Sequence, residues 1–145
     1  MKRKIVTNLK SLRQPSETIT GLAEIQDIIK DLEDSLDLSK GIGLSAIQIG
    51  IPKRVGIIRI NDIRIDLINA VITEKFDKFK MKDEACLSLP NIRVDTLRYK
   101  EITLENNGKT QVFDIHIDGI LPIAIQHEIE HMKGRVILDS KWRSR

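Results

Sequence analysis

A chain of 145 residues is long enough to bury one core and short for two ordinary domains, so a single domain over residues 1–145 is expected. Its 24 basic against 21 acidic residues leave a net charge of +3, too slight to imply nucleic-acid binding or a membrane surface, while 41% hydrophobic residues are ample for a core. One cysteine excludes an internal disulfide framework, and no apolar run is long enough for a signal peptide or a membrane span, which points to a reducing, cytoplasmic setting.

Leu22, Ile25, Ile29, Leu32 and Leu36 recur at spacings of three and four, which predicts an amphipathic helix from Leu22 to Leu36 that covers the core. Gly41 and Gly43 break that period and open a loop. Val55 to Ile60 and Ile63 to Ile68 read as strands around a tight Asn61-Asp62 turn. Lys100 to Glu105 and Gln111 to Ile117 read as a second antiparallel pair around Asn106-Asn107-Gly108, whose residues tolerate positive φ. Alternation on the later strand sets Phe113, Ile115 and Ile117 on one face and His116 on the other, towards solvent. The last element is a helix from Gly119 or Ile120 to Lys133, with Asp118 placed to cap its start, Pro122 tolerated in its first turn and Gly134 suited to its end. No repeat, low-complexity segment or interdomain linker interrupts this order. The expected fold class is α+β, with short antiparallel sheets around a central helix and an amphipathic helix near the N-terminus.

The central helix carries His127-Glu128-Ile129-Glu130-His131, an HExxH pattern. At about 100° per residue the two histidines lie about 40° apart on one face, so both imidazoles can hold one divalent ion. Glu128 then sits near enough to exchange protons with a metal-bound water. A catalytic metal usually takes three protein ligands and keeps one position open. The metzincin spacing HExxHxxGxxH fails at its last position, which is Ile137, and the only carboxylate after His131 is Asp139. The third ligand is therefore expected upstream, where the candidates are Cys86 and His116. A lone cysteine is ordinarily a small buried hydrophobe. Beside HExxH, Cys86 in Glu84-Ala85-Cys86-Leu87-Ser88-Leu89-Pro90 is the better candidate, and His116 reads as a solvent-facing strand residue.

Three separated motifs, in order and in compatible spacing, make the chain resemble peptide deformylases. Gly41-Ile42-Gly43-Leu44-Ser45-Ala46-Ile47-Gln48 is similar to that family's GxGLAAxQ loop, Glu84 to Ser88 to its EGCLS motif, and Gln126 to His131 to its QHExDH motif. Arg93 and Arg98 stand where the family often has arginines, and the likeness covers nearly the whole chain. It resembles short forms, including phage-encoded ones, that lack much of the C-terminal extension. Three positions depart from the pattern: Ser45 replaces the first alanine of GLAA, Ala85 the glycine of EGCLS, and Glu130 the aspartate of HExDH. Ser45 brings a hydroxyl that must find a partner if buried, Ala85 adds a methyl beside the cysteine, and Glu130 moves a carboxylate outward by one methylene.

The resemblance implies hydrolysis of the N-terminal formyl group of formyl-methionyl nascent polypeptides, releasing formate. It implies Cys86, His127 and His131 as metal ligands, Glu128 as proton shuttle, and the Gln48 amide with the Leu87 N–H as donors to the oxyanion. It implies Fe2+ as the physiological ion, with Ni2+, Co2+ or Zn2+ able to take its place. Methionine would enter an apolar pocket matching Ile42, Leu87, Ile123, Ala124 and His127. The backbone of Gly43, Leu44 and Ser45 would pair with the extended peptide, and Glu84, Ala85 and Arg93 complete the substrate-contacting set.

The basic ends, Met1-Lys2-Arg3-Lys4 and Lys141-Trp142-Arg143-Ser144-Arg145, read as solvated termini that could at most touch the ribosome transiently. A monomer is expected, with formylated peptides as the partners. Two rival readings stand beside deformylation: a metallopeptidase cutting internal peptide bonds, and a non-catalytic protein with a structural metal.

Overall fold

The computed structural model describes residues 1–143; Ser144 and Arg145, the tip of the basic C-terminal end, lie outside the described residues. Asn8 opens a short helix, α1 (Leu9–Leu12), by accepting the Ser11 N–H at 3.1 Å. The expected amphipathic helix follows as α2 (Leu22–Ser35). Its buried seam is Ile25, Ile28, Leu32 and Ser35, with Ile29 and Leu36 half-buried beside it. Leu22 stands at the helix end and is 69% exposed, so the stripe is rolled by one residue from the expected one.

Among the described residues the long strands form two three-stranded antiparallel sheets. The first joins β1 (Gly43–Ser45), β2 (Val55–Ile60) and β3 (Ile63–Ile68) in that order, and a single 3-10 turn (Ala46–Ile49) follows β1. The β2–β3 hairpin keeps both expected strand limits, with Asn61 at φ 51° in its turn. The second sheet joins β4 (Val71–Cys86), β5 (Leu89–Asn106) and β6 (Lys109–Asp114). Asn107 and Gly108, both at positive φ, close the β5–β6 hairpin.

The second sheet departs from expectation in two places. First, β5 begins at Leu89 rather than Lys100, and its partner β4 covers a Lys-rich stretch for which no strand was expected. Most of β4 is exposed, so its own side-chain pattern carries little strand signal and the ladder to β5 holds it. Second, β6 ends at Asp114, and the chain turns into a helical turn, α3 (Ile115–Asp118). The Asp114 carboxylate accepts the His116 N–H at 2.8 Å, and the Asp114 N–H donates to Asp118 Oδ2 at 2.9 Å. These local bonds compete with the strand ladder and win. Ile117 is consequently 84% exposed rather than buried with Phe113.

The last long helix is α4 (Leu121–Met132), with Pro122 in its first turn as expected. Asp118 does not cap it, because that carboxylate serves Asp114 instead. Its C-terminus closes with Arg135 N–H on Glu130 O and Gly134 N–H on His131 O, the paired bonds of a Schellman end with Gly134 at φ 76°. Ala124, Ile125, Ile129 and Met132 of α4 pack with Ile58, Leu67, Ile102, Leu104 and Phe113, which come from both sheets. α4 is thus the central helix of an α+β fold and touches β1 and β2 on one side, β4, β5 and β6 on the other. Among the described residues no helix is long and apolar enough to cross a membrane.

Candidate active site

His127 and His131 project from one face of α4, with ring centroids 4.9 Å apart and their Nε2 atoms 3.2 Å apart. Cys86 is the last residue of β4. Register breaks between Met81 and Glu84 and between Glu84 and Cys86 bend that strand end towards the helix. Cys86 Sγ stands 3.3 Å from His131 Nε2, and one donor atom from each of Cys86, His127 and His131 lies within 4.8 Å of the others. His116 is exposed on α3 and is not part of this cluster. A thiol and two imidazole nitrogens turned towards a common point, two of them on buried residues, fit a cation better than they fit one another.

Glu84 fixes the orientation of His127. Its Oε2 lies 2.8 Å from His127 Nδ1, which leaves Nε2 turned to the cluster. Thr96 Oγ1 and Arg98 Nε each donate to Glu84 Oε1 at 2.8 Å, and Arg98 Nη2 donates to Oε2 at 2.5 Å. Burial pushes the Glu84 carboxyl up, but the His127 and Arg98 bonds outweigh it and hold it at about 2. Arg98 also meets Glu130, whose other oxygen accepts from Ser140 Oγ and Arg135 Nε. The charge order Glu130, Arg98, Glu84, His127 therefore alternates in sign from the end of α4 to the cluster.

Burial lowers the basicity of both histidines. For His127 the Cys86 and Glu84 contacts more than reverse that, whereas His131 is pushed well down by burial and by its neighbour His127. A divalent ion takes both imidazoles neutral, so its binding would displace the proton that these contacts favour on His127.

Glu128 is 3% exposed, and burial raises its pKa. Its Oε1 accepts from Ser45 Oγ at 3.0 Å, and a Cβ added at Gly43 would stand 2.5 Å from its Oε2. Gln48, on the 3-10 turn, accepts the Ser45 N–H at 2.9 Å through Oε1. Its Nε2 donates to Ser88 Oγ at 3.1 Å and faces Cys86 Sγ at 3.6 Å. Leu87 packs its side chain against Gly41, where an added Cβ would meet it at 3.1 Å.

These groups floor a cavity of about 900 Å³ whose lining includes Ile42, Gly43, Gln48, Cys86, Leu87, His127 and Glu128. Ala85, Arg93, Ile123 and Ala124 also line it. Leu44 and Ser45 do not. Alternation on β1 turns Gly43 and Ser45 towards α4 and sends Leu44, fully buried, into the apolar cluster under α2. The Ser45 N–H is already bonded to Gln48, so it is not free to pair with a peptide. Glu84 lines the wall, and its carboxylate is bonded to Thr96, Arg98 and His127.

Arg98 was visible in the sequence only as an arginine at a familiar place, and its clamp on two carboxylates was not. The available signal was the parity of Val94, Thr96 and Arg98, which share a face of β5 and are all buried. Lys2, Arg3 and Lys4, expected as a solvated terminus, line the rim of the cavity with Lys40.

An HExxH helix with a third potential ligand from a distant strand, beside an open cavity, has the features of a metal-dependent hydrolase. A family model described as polypeptide deformylase matches residues 2–144. The chain belongs to the polypeptide deformylase family, which removes the N-formyl group from nascent polypeptides. Its fold is similar to that of the peptide deformylase from Legionella pneumophila, with TM-score 0.86 and 27% identity over 98% of this chain and 87% of that one. The peptide deformylase from Thermotoga maritima gives TM-score 0.85 and 25% identity over 99% of both chains. That from Plasmodium falciparum gives 0.84 and 29% identity over 97% of this chain and 87% of that one.

Proposed function

We propose that Cys86, His127 and His131 hold a single divalent ion and that Glu128, Gln48 and Leu87 carry out deformylation around it. The observation that carries this reading is that Glu128, the Gln48 amide, Cys86 and His127 line one cavity, with His131 completing the cluster of three donor atoms behind them. When bound, the ion supplies Lewis acidity, polarising the formyl carbonyl and lowering the pKa of water towards neutrality. Glu128 accepts the proton of the water that attacks the formyl carbon. The Gln48 amide and the Leu87 N–H donate to the oxyanion that forms, each worth about 10²–10³ in rate. Glu128 then passes its proton to the departing amine nitrogen as the C–N bond breaks, and formate and a free N-terminus are released.

Ile42, Leu87, Ile123, Ala124 and His127 receive the methionine side chain. Gly43, Ala85 and Arg93 border the rest of the peptide. A thiolate beside two imidazoles suits Fe2+, with Ni2+, Co2+ or Zn2+ as substitutes. The protein acts as a cytoplasmic monomer of one domain, in a compartment that keeps Cys86 reduced, and meets formylated chains at or near the ribosome. A purely structural metal would call for a fourth protein ligand, and the cluster among the described residues has three.

The test is formate release from formyl-Met-Ala-Ser by anaerobically prepared, ferrous-loaded protein. The controls are the unformylated peptide, which reports internal cleavage, and Glu128→Ala. Glu128→Ala is expected to keep its metal and lose about 10²–10⁴ in rate. Wild-type turnover in that variant would remove Glu128 from the mechanism.

A further inference from the structure

We propose that Ser45 is a positioning residue that holds the carboxylate of Glu128 in its working orientation. This deepens the reading above and rests on Glu128 being the proton shuttle. Among the described residues, Ser45 Oγ is the one hydrogen-bond donor that reaches the Glu128 carboxylate, at 3.0 Å from Oε1. The same hydroxyl lies 3.1 Å from the main-chain oxygen of Glu128. Its single proton is placed between these two acceptors, and when donated to Oε1 it holds the Glu128 rotamer from outside the helix.

Gly43, two residues earlier on the same face of β1, completes the grip. A Cβ at that position would stand 2.5 Å from Glu128 Oε2, so the bare backbone leaves room for that oxygen and no side chain intrudes between it and the cavity. One carboxylate oxygen is anchored by Ser45 and the other faces the cavity wall at Gly43. Ser45 also sets the second polar group of the site, because its N–H holds Gln48 Oε1 at 2.9 Å and so turns Nε2 towards Cys86 and Ser88. A single residue, 1% exposed, thus orients the proton shuttle through its side chain and the oxyanion donor through its main chain. An alanine at this position would retain only the main-chain bond to Gln48.

The test compares wild type, Ser45→Ala and Ser45→Cys on formyl-Met-Ala-Ser, with metal content and thermal midpoint measured for each. Cysteine matches serine closely in shape but donates poorly, so it separates the hydrogen bond from packing. Both variants are expected to retain metal and KM and to lose about tenfold in kcat. In a Glu128→Ala background, Ser45→Ala is expected to change the residual rate by less than about twofold, because the group it positions is gone. Wild-type kcat in Ser45→Cys and Ser45→Ala, or the same tenfold loss with and without Glu128, would overturn the proposal. Wild-type protein that releases no formate would sink the deformylation reading first and take this inference with it.

Discussion

Arg98 is 2% exposed and lies between two carboxylates, Glu84 and Glu130. Glu84 alone would be a desolvated anion beside a histidine; with Arg98 and Thr96 bonded to it, it becomes a fixed acceptor for His127 Nδ1. Removing the cation strands two buried or half-buried carboxylates. Arg98→Ala is expected to cost about 3–5 kcal/mol in a denaturant titration and to weaken metal retention. Glu84→Gln keeps the shape but weakens its hold on His127, and a loss of about 10–100-fold in metal affinity is expected by competition with a chelator. Unchanged affinity in Glu84→Gln would mean that α4 alone orients His127. The extra methylene of Glu130 has a visible use, because its two oxygens reach Arg98 on one side and Ser140 and Arg135 on the other.

At the scale of elements, the end of α4 is as constrained as its catalytic face. Gly134 sits at φ 76°, and a Cβ there would stand 2.4 Å from Arg13 O. Gly134→Ala combines left-handed strain with a backbone clash and is expected to cost about 1–3 kcal/mol by thermal unfolding. The following 3-10 turn (Ile137–Ser140) is held by Asp139, which accepts the Val136 N–H at 3.0 Å and Arg13 Nη2 at 2.9 Å. Burial pushes the Asp139 carboxyl up, but these two bonds and the Arg13 and Arg135 charges together bring it below its ordinary value. A carboxyl with a depressed folded pKa stabilises above its unfolded value of about 3.9, and the gain is lost as pH falls through the folded value. Asp139→Asn should therefore melt below wild type at pH 6, and the gap should close as pH falls below about 4. A gap that persists at low pH would assign the turn's stability to packing. The β4–β5 hairpin shows the complementary case: its exposed, Lys-rich first strand exists because a partner strand is present.

Across the whole molecule, the proposed metal cluster joins parts that the chain keeps far apart. Cys86 ends β4 while His127 and His131 lie on α4, so an ion bound there ties the long hairpin to the central helix. Anything that binds only the folded state stabilises it, by about 2.7 kcal/mol at a concentration a hundredfold above Kd. Chelation is expected to lower the thermal midpoint and abolish formate release, and adding Fe2+ anaerobically should restore both. A midpoint indifferent to chelation would show that the hairpin docks on α4 without help from the ion. Cys86→Ser should weaken both metal retention and the chelator-sensitive part of the midpoint; unchanged metal content would assign the third ligand elsewhere.

Much of this was legible in the chain before any fold was known, because the relevant physics is local. HExxH needs only the helical repeat to place two imidazoles and a carboxylate on neighbouring positions, and the β2–β3 limits follow from two β-branched runs around Asn61-Asp62. The motif loops around Gln48 and Cys86 were marked by their residues, although no rule of spacing brings them to α4. What tertiary structure alone decided lies between elements. It made Ser45 a partner of Glu128, drew the Glu84 carboxylate into a clamp with Arg98, and made a long strand of a Lys-rich stretch in which the sequence predicts no element. Side-chain direction on a three-residue edge strand and charge pairing across more than ten residues depend on what packs opposite them, and that is set only when the helix settles between the two sheets.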